Sequence, residues 1–407
     1  METMFAQDIE DLKNLYSFSK EELDILERVD KAADEIALPE FENYLNRKVN
    51  MAGVQIAKKH GILGLPVKKE YGGLGANALV TALAKERLGQ VGLSFSSFYN
   101  VHVFLTQLAL QRWGNDYQKE KYLKPASKGD IIMAFGLTEP DAGSDPSAMQ
   151  TTYEKRGDKF VLNGSKYLIT NGSIANNEII FAKSKENKGE ISAFIIDTKS
   201  NGFSVSMQLK EKIGLFASDT SMLDFKGLEV PKEDVLGEIG KGMHVAYSSL
   251  MNGRMGVASA SVGVIEDCLN AVLSRAKERV QFGKQIGKHQ LIQKHIVKIA
   301  QNLEMARWPT YFAAIRKIAY EKDPDNKDLE REIDKRTALA KKIASYSAWD
   351  SADHAVQGFG GFGYSLFSPV GRHYCDTRVT RLYEGSDEIM ELKIAAHLLG
   401  DDFKAFN

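Results

Sequence analysis

Along the first third of the chain the apolar positions recur at helical spacing. Leu23, Leu26, Val29, Ala33 and Ile36 follow Ser19-Lys20-Glu21-Glu22, which has the form of a capping box with Phe18 and Leu23 as a staple, so a helix is predicted to start there. Helical patterning continues to about residue 128, broken at Gly72-Gly73-Leu74-Gly75, which reads as a loop because no strand precedes it. From about residue 130 to 235 the pattern changes to short β-rich runs. Lys159 to Leu162, then Asn163-Gly164, then Ser165 to Ile169 has the form of a hairpin with a two-residue turn; Glu178 to Ala182, Ile191 to Ile196 and Met222 to Val230 are further strands. After Pro231 the helical period returns, over roughly 241–278, 289–322, 329–358 and 379–398, with the charged stretch Glu321 to Lys335 as a solvated connection. The expected fold class is mainly α around a central β domain, in three parts: 1–129, 130–238 and 239–407.

Composition narrows the function by exclusion. The 53 basic and 54 acidic side chains leave no field to draw in nucleic acid or an anionic membrane, and no run of about eighteen uninterrupted apolar residues predicts a membrane span. Cys268 and Cys375 are the only cysteines, too few for a disulfide framework, and suit a reducing, cytoplasmic setting. Met1 to Lys20 carries Glu2, Asp8, Glu10 and Asp11 and lacks a basic flank before an apolar core, so neither a signal nor a transit peptide is expected. Gly358-Phe359-Gly360-Gly361-Phe362-Gly363 matches G-x-G-x-x-G, yet it follows the helical run Ala344 to Val356 rather than a strand; it reads as a helix end, not a nicotinamide fold.

Four segments carry a family resemblance. Ala134 to Asp145 (AFGLTEPDAGSD), Arg279-Val280-Gln281-Phe282-Gly283, Gln357 to Gly361 and Tyr383-Glu384-Gly385 resemble, in this order, the signature segments of the acyl-CoA dehydrogenases. The resemblance implies an N-terminal helical domain, a middle β-barrel and a C-terminal four-helix bundle, assembled as a homotetramer with FAD across a subunit interface, and an electron-transfer flavoprotein as electron acceptor.

The chemistry needs a base for the weakly acidic α-proton of a thioester and an acceptor for the β-hydride, and no side chain accepts hydride. Glu384 is the candidate base: a carboxylate in an apolar pocket has its pKa raised toward the working pH. By resemblance its backbone N–H polarises the thioester oxygen, with Gly385 beside it at the substrate. Some relatives place the base just before an arginine on the first C-terminal helix. Here that arginine resembles Arg254 and the preceding residue is Gly253, which cannot take a proton. Arg254 would border the acyl-CoA channel or form a bundle ion pair.

The resemblance also assigns flavin contacts. Phe135, Leu137 and Thr138 would face the ring, Gly143 and Ser144 the pyrophosphate and pantetheine arm, and Thr170 the reactive nitrogen; Leu168 stands where an aromatic is common. Arg279, Phe282 and Gln290 would come from a partner subunit, with Gln357, Gly361, Ser386 and Glu388 as later contacts, and a guanidinium at 279 suits a diphosphate. Met251 and Phe216 depart from an aspartate and an arginine common in relatives. Phe98, Tyr99 and Phe104 either shorten the acyl pocket or belong to a helical core, and His102 either touches a polar acyl group or is a core histidine. A local likeness to glutaryl-CoA dehydrogenases spans Gly136 to Met149, but their carboxylate-binding arginine corresponds to Ser96, so a dicarboxylic substrate is disfavoured. The expected activity is dehydrogenation of a short, medium or branched acyl-CoA. A flavin oxidase or monooxygenase, kept open by Leu168, and a non-catalytic flavin-binding protein are the alternatives.

Overall fold

A computed structural model describes residues 16–187, 189–403 and 405. Most of the acidic stretch Met1 to Lys20 lies outside the described residues. Helix α1 (Lys20–Asn46) begins as expected: Ser19 Oγ accepts from the N–H of Glu22, and the Glu22 carboxylate accepts the Ser19 N–H at 2.8 Å. Its stripe of Ile25, Val29, Ala33 and Ile36 is buried. Next come α2 (Met51–Lys59), α3 (Ala78–Val91) and α4 (Leu93–Tyr99). A π-helical stretch (Asn100–Gln107) continues α4 into α5 (Leu108–Trp113), and the short α6 (Asp116–Gln118) and α7 (Lys124–Lys128) close the segment. The Gly72 to Gly75 segment is the loop expected; a Cβ on Gly73 would lie 2.1 Å from the Val67 carbonyl oxygen.

The middle domain holds β1 (Met133–Gly136), β2 (Thr152–Arg156), β3 (Lys159–Thr170), β4 (Asn177–Ser184), β5 (Ile191–Asp197), β6 (Phe203–Gln208), β7 (Thr220–Pro231) and β8 (Val235–Leu236). Their order is β6-β7-β3-β2-β4-β5-β8, with β1 parallel to β4. In a flat sheet β3 and β5 would stand about 14 Å apart, three strand spacings. Phe160 and Phe194 on them are 5.4 Å apart instead, so the sheet curls into a barrel-like shape around Tyr153, Phe160, Phe194 and Phe225. One expectation is corrected here. Asn163-Gly164 is not a turn: β3 runs straight through it, and the chain reverses at Gly157-Asp158, between the paired Arg156 and Lys159. Asn163 and Gly164 form a bulge against β7, where the Asn163 side chain accepts the Gly227 N–H at 2.8 Å and Gly164 leaves room for Thr151.

The C-terminal domain contains α8 (Gly242–Glu278), the β9 (Val280–Gln281) and β10 (Lys284–Gln285) hairpin, α9 (Gln290–Lys322), α10 (Lys327–Phe359), α11 (Pro369–Thr380) and α12 (Asp387–Leu399). Helix α8 is long and apolar enough to cross a membrane, but 78% of its apolar window is buried and it forms the centre of the bundle. The N-terminal helices lie directly on it, because Gly89 and Gly263 let α3 and α8 touch backbone to backbone. Arg307 of α9 ties the junction through Glu86 (2.6 Å) and Glu266 (2.8 Å).

Two further expectations change. The helix over 379–398 is broken at 381–386, which frees a tight turn for Glu384. The connection supposed over Glu321 to Lys335 shrinks to residues 323–326, and Asp334 inside it is no surface charge: Arg254, Lys393 and His397 converge on its carboxylate. Gly358 to Gly363 ends α10, as expected, with Gly360 as the cap at φ +64°.

Candidate active site

Glu384 occupies the turn between α11 and α12, with φ +54° followed by Gly385 at +99°, a conformation that costs a non-glycine residue energy and persists only where the surroundings impose it. Those surroundings are cationic. Arg254 Nε donates to the Glu384 carbonyl (3.1 Å), Lys341 Nζ to the Gly385 carbonyl (2.7 Å), and Arg381 reaches Asp387 across the turn (2.6 Å). With its carbonyls held this way, the turn points its carboxylate inward. Among the described residues no acceptor takes the Glu384 N–H.

Glu384 Oε1 accepts from Asn100 Nδ2, while Oε2 is buried with no partner among the described residues. A Cβ on Gly253 would stand 1.8 Å from that Oε2. The glycine that cannot be a base is thus the space the base fills. Burial pushes the Glu384 carboxyl up to about 7, against the opposing pull of Arg254, Lys341 and Lys85 and the Asn100 hydrogen bond. A carboxylate poised near neutrality with one free oxygen is fitted to remove a proton. Asp334 behaves oppositely: although burial would raise it, His397, Lys393 and Arg254 hold it at about 2, a fixed anion that anchors Arg254. Arg254 is thereby committed to the bundle ion pair and to the Glu384 carbonyl.

Residues 135–138 and 166–170 lie side by side. Tyr167 N–H donates to Thr138 O (2.9 Å), and the buried Lys166 ammonium bonds Leu137 O (3.2 Å) and Glu139 (2.7 Å). Phe135 and Leu137 are buried, Thr138 and Thr170 half-buried, and Leu168, at φ +60° on a bulge, is 46% exposed. Gly143 and Ser144 are exposed, with open space where a Gly143 Cβ would be. Asn171 links this shelf to the base, since its Nδ2 bonds Phe98 O (3.2 Å) two residues before Asn100. An open shelf with a projecting apolar residue and two half-buried threonines, tied through Asn171 to the helix that carries Asn100, fits a flavin ring. Ser386, the N-cap of α12, and Glu388 in its first turn flank the base.

Arg279, Phe282, Gln290, Gln357 and Gly361 are not part of this cluster. Arg279 lies 25 residues beyond Arg254 on α8, about 37 Å at 1.5 Å per residue. They form a second group at that far end, where Arg275 Nε bonds Phe359 O (3.0 Å). Phe282, at the hairpin tip with φ +52°, is 93% exposed, as is Tyr364.

Phe98, Tyr99 and Phe104 lie in the N-terminal core, with Tyr99 OH bonded to Ile62 O (2.7 Å). His102 is fully buried; its Nδ1 accepts the Met133 N–H, Nε2 approaches Ala126 O, and burial lowers its pKa to about 4. It pins the π-helical stretch to β1. Met251 packs with Tyr320 and Ile333, and Phe216 lies under the Arg47 guanidinium, at 4.6 Å, so both departures have apolar roles. Asn100, Lys341, Asp334 and Lys85 carried no motif signal, because they are scattered over three helical segments far apart in sequence. Only the missing side chain at Gly253 hinted at their meeting point.

Comparison with known proteins agrees with this geometry. Residues 19–130, 134–228 and 240–399 match the N-terminal, middle and C-terminal domains of acyl-CoA dehydrogenase. The chain is 38% identical over 350 residues to a short-chain specific acyl-CoA dehydrogenase of Clostridium acetobutylicum, covering 86% of this chain and 89% of the relative. Butyryl-CoA dehydrogenase from Megasphaera elsdenii superposes with a TM-score of 0.87 at 34% identity, over 94% of this chain and 99% of that one. A chain solved in work on the electron transferring flavoprotein of Acidaminococcus fermentans superposes at 0.88 and 35%, over 94% and 98%.

Proposed function

The chain belongs to the acyl-CoA dehydrogenase family of FAD enzymes, and from that premise we propose that it converts a short to medium or branched acyl-CoA to the trans-2-enoyl-CoA, with an electron-transfer flavoprotein as acceptor. The observation that carries this reading is the unpartnered, buried Glu384 Oε2 in the space left by Gly253. When bound, FAD supplies the hydride acceptor that side chains lack. Glu384 takes the α-proton onto Oε2, and its free N–H stabilises the charge that develops on the thioester oxygen. Arg254 and Lys341 hold the turn rigid while this happens.

The separation along α8 supports an intersubunit cofactor. Phe135, Leu137, Thr138, Gly143, Ser144, Leu168 and Thr170 of one chain would hold the ring, and Arg279, Phe282, Gln290, Gln357 and Gly361 of another the diphosphate and adenosine. The exposed Phe282, Phe362, Tyr364 and Phe367 at the far end favour burial in a homotetramer. A cytoplasmic setting fits the two free cysteines. Anaerobic titration of the purified yellow protein with straight and branched acyl-CoAs tests the reaction: bleaching by one group supports it, and bleaching by none overturns it. Oxygen uptake during turnover would favour an oxidase instead.

A further inference from the structure

The connection between α1 and α2 faces the connection between β6 and β7 across a cavity of about 190 Å³, whose lining includes Arg47, Lys48, Lys210, Lys212, Phe216 and Asp219. That volume is more than ten times what one water needs. The concentration of cations stands out in a chain whose 53 basic and 54 acidic side chains balance overall. Among the described residues Lys48, Lys210 and Lys212 form no ion pair, and Arg47 meets only the exposed Glu211, at 3.1 Å. The one carboxylate in the lining is already engaged: Asp219 accepts the Ser173 N–H at 2.8 Å and the Ser221 hydroxyl at 3.1 Å.

Two of the cations are fixed in place. Lys212 is half-buried, and its ammonium donates to two neutral oxygens, Ser218 O at 2.6 Å and Thr220 Oγ1 at 3.0 Å. Burial pushes it down to about 8, against the pull of Asp219 and of Asp376 behind the loop. A charge desolvated this far gains from an anion placed beside it. Arg47 caps α1 at φ +51°, a conformation that costs a non-glycine residue energy and persists where its surroundings impose it. Here the guanidinium lies over the Phe216 ring at 4.6 Å, and Tyr44 packs against that ring at 5.0 Å.

We propose that this cavity binds a small phosphate-bearing dianion. Its four cations stand against two carboxylates, Asp219 and Glu211, which leaves two positive charges over. A phosphate group of charge about −1.5 to −2 balances them, and a monocarboxylate does not. Donors arriving from two opposed connections also suit an anion with oxygens on every side. The site lies beside the flavin shelf and outside it: Thr220, which accepts from Lys212, is the strand partner of Thr170. The proposal goes beyond the dehydrogenase reading and does not depend on it.

The test is equilibrium dialysis of the FAD-loaded enzyme against orthophosphate, pyrophosphate and glycerol 3-phosphate in turn, at about 0.1 M salt, where charges more than about 10 Å apart are largely screened. One saturable site per chain is expected, with a Kd below about 1 mM for at least one of the three. The anion that binds most tightly separates free phosphate from a diphosphate or a phosphate ester. Losing a charged hydrogen bond in Lys212→Met should weaken binding at least about 10-fold. Lys210→Met, at an exposed position that leaves the fold alone, should weaken it about 3-fold. Lys159→Met removes the same charge from a surface pair with Glu229 and should change nothing. Absence of saturable binding by all three anions would overturn the proposal. So would binding that ignores both Lys212→Met and Lys210→Met, or that Lys159→Met weakens equally, and the dehydrogenase reading would stand in each case.

Discussion

The two ends of α8 are built on opposite principles. Near Gly253 and Arg254 the chain completes its own site: Glu384, Asn100, Arg254, Lys341 and Asp334 come from four separate segments and bury one another. Near Arg279 the side chains point outward, and Phe282 and Tyr364 are 93% exposed. A group that must hold a proton at neutral pH needs water excluded by its own fold, so its neighbours are internal. On the proposed intersubunit cofactor, the groups that meet it are left open until assembly covers them. Substitutions at the two ends should therefore fail differently.

The largest separation is expected from Glu384→Gln. Removing the base should lower the rate of flavin reduction by about 10³-fold, while FAD content stays at the wild-type level because the far end is untouched. Stopped-flow absorbance beside a flavin-to-protein ratio reads both; loss of FAD with the activity would break the comparison. Gly253→Ala comes next. Its methyl must displace a carboxylate oxygen 1.8 Å away, and misplacement by about 1 Å costs on the order of 10²-fold in rate. FAD should again remain bound, and a variant with wild-type rates would mean that the carboxylate has another place to stand.

How much of this contrast is legible in the sequence follows from how local each feature is. The capping box at Ser19, the helices of the last domain and the identity of Glu384 rest on short segments and can be read from them. The bulge at Asn163-Gly164 could not, since an Asn-Gly pair satisfies a turn and a bulge alike and only the partner strand β7 decides between them. The break at 381–386 was hidden because its residues keep helical periodicity while the Arg254 and Lys341 donors, distant in sequence, hold the turn open. Asp334 looked solvated for the same reason: its three cations are 80, 59 and 63 residues away. Motif reading nominates the candidate base and misses the residues packed around it.

At the far end, Arg279→Ala should act on cofactor retention. Loss of a charged hydrogen bond to a diphosphate costs about 1.5–3 kcal/mol, or roughly 10- to 100-fold in FAD affinity. With saturating FAD the rate of reduction should recover, since the base is about 37 Å along the helix from the change. Flavin fluorescence on dilution measures the first quantity and stopped flow the second. Failure of excess FAD to rescue would show that the ends are coupled. A gentler probe of the near end is pH. With the Glu384 carboxyl raised to about 7 by burial, the ionised base is lost as pH falls through that value, so reduction should be about tenfold faster at pH 8 than at pH 6. The Arg279→Ala enzyme reconstituted with FAD should show the same profile.

The smallest effect is expected where the two principles meet, at Leu168. This residue sits on the near-end shelf yet is 46% exposed on a bulge, so it belongs to the open class by surroundings and to the ring site by position. Leu168→Trp removes no buried contact and should change unfolding free energy by no more than about 0.5 kcal/mol. An indole there would stack on a bound flavin and quench its fluorescence, which leucine cannot do. Quenching with unchanged stability would place the ring against the shelf of this chain. Unquenched fluorescence in a fully loaded enzyme would mean that the ring lies elsewhere, and that the near end carries a base without the acceptor it serves.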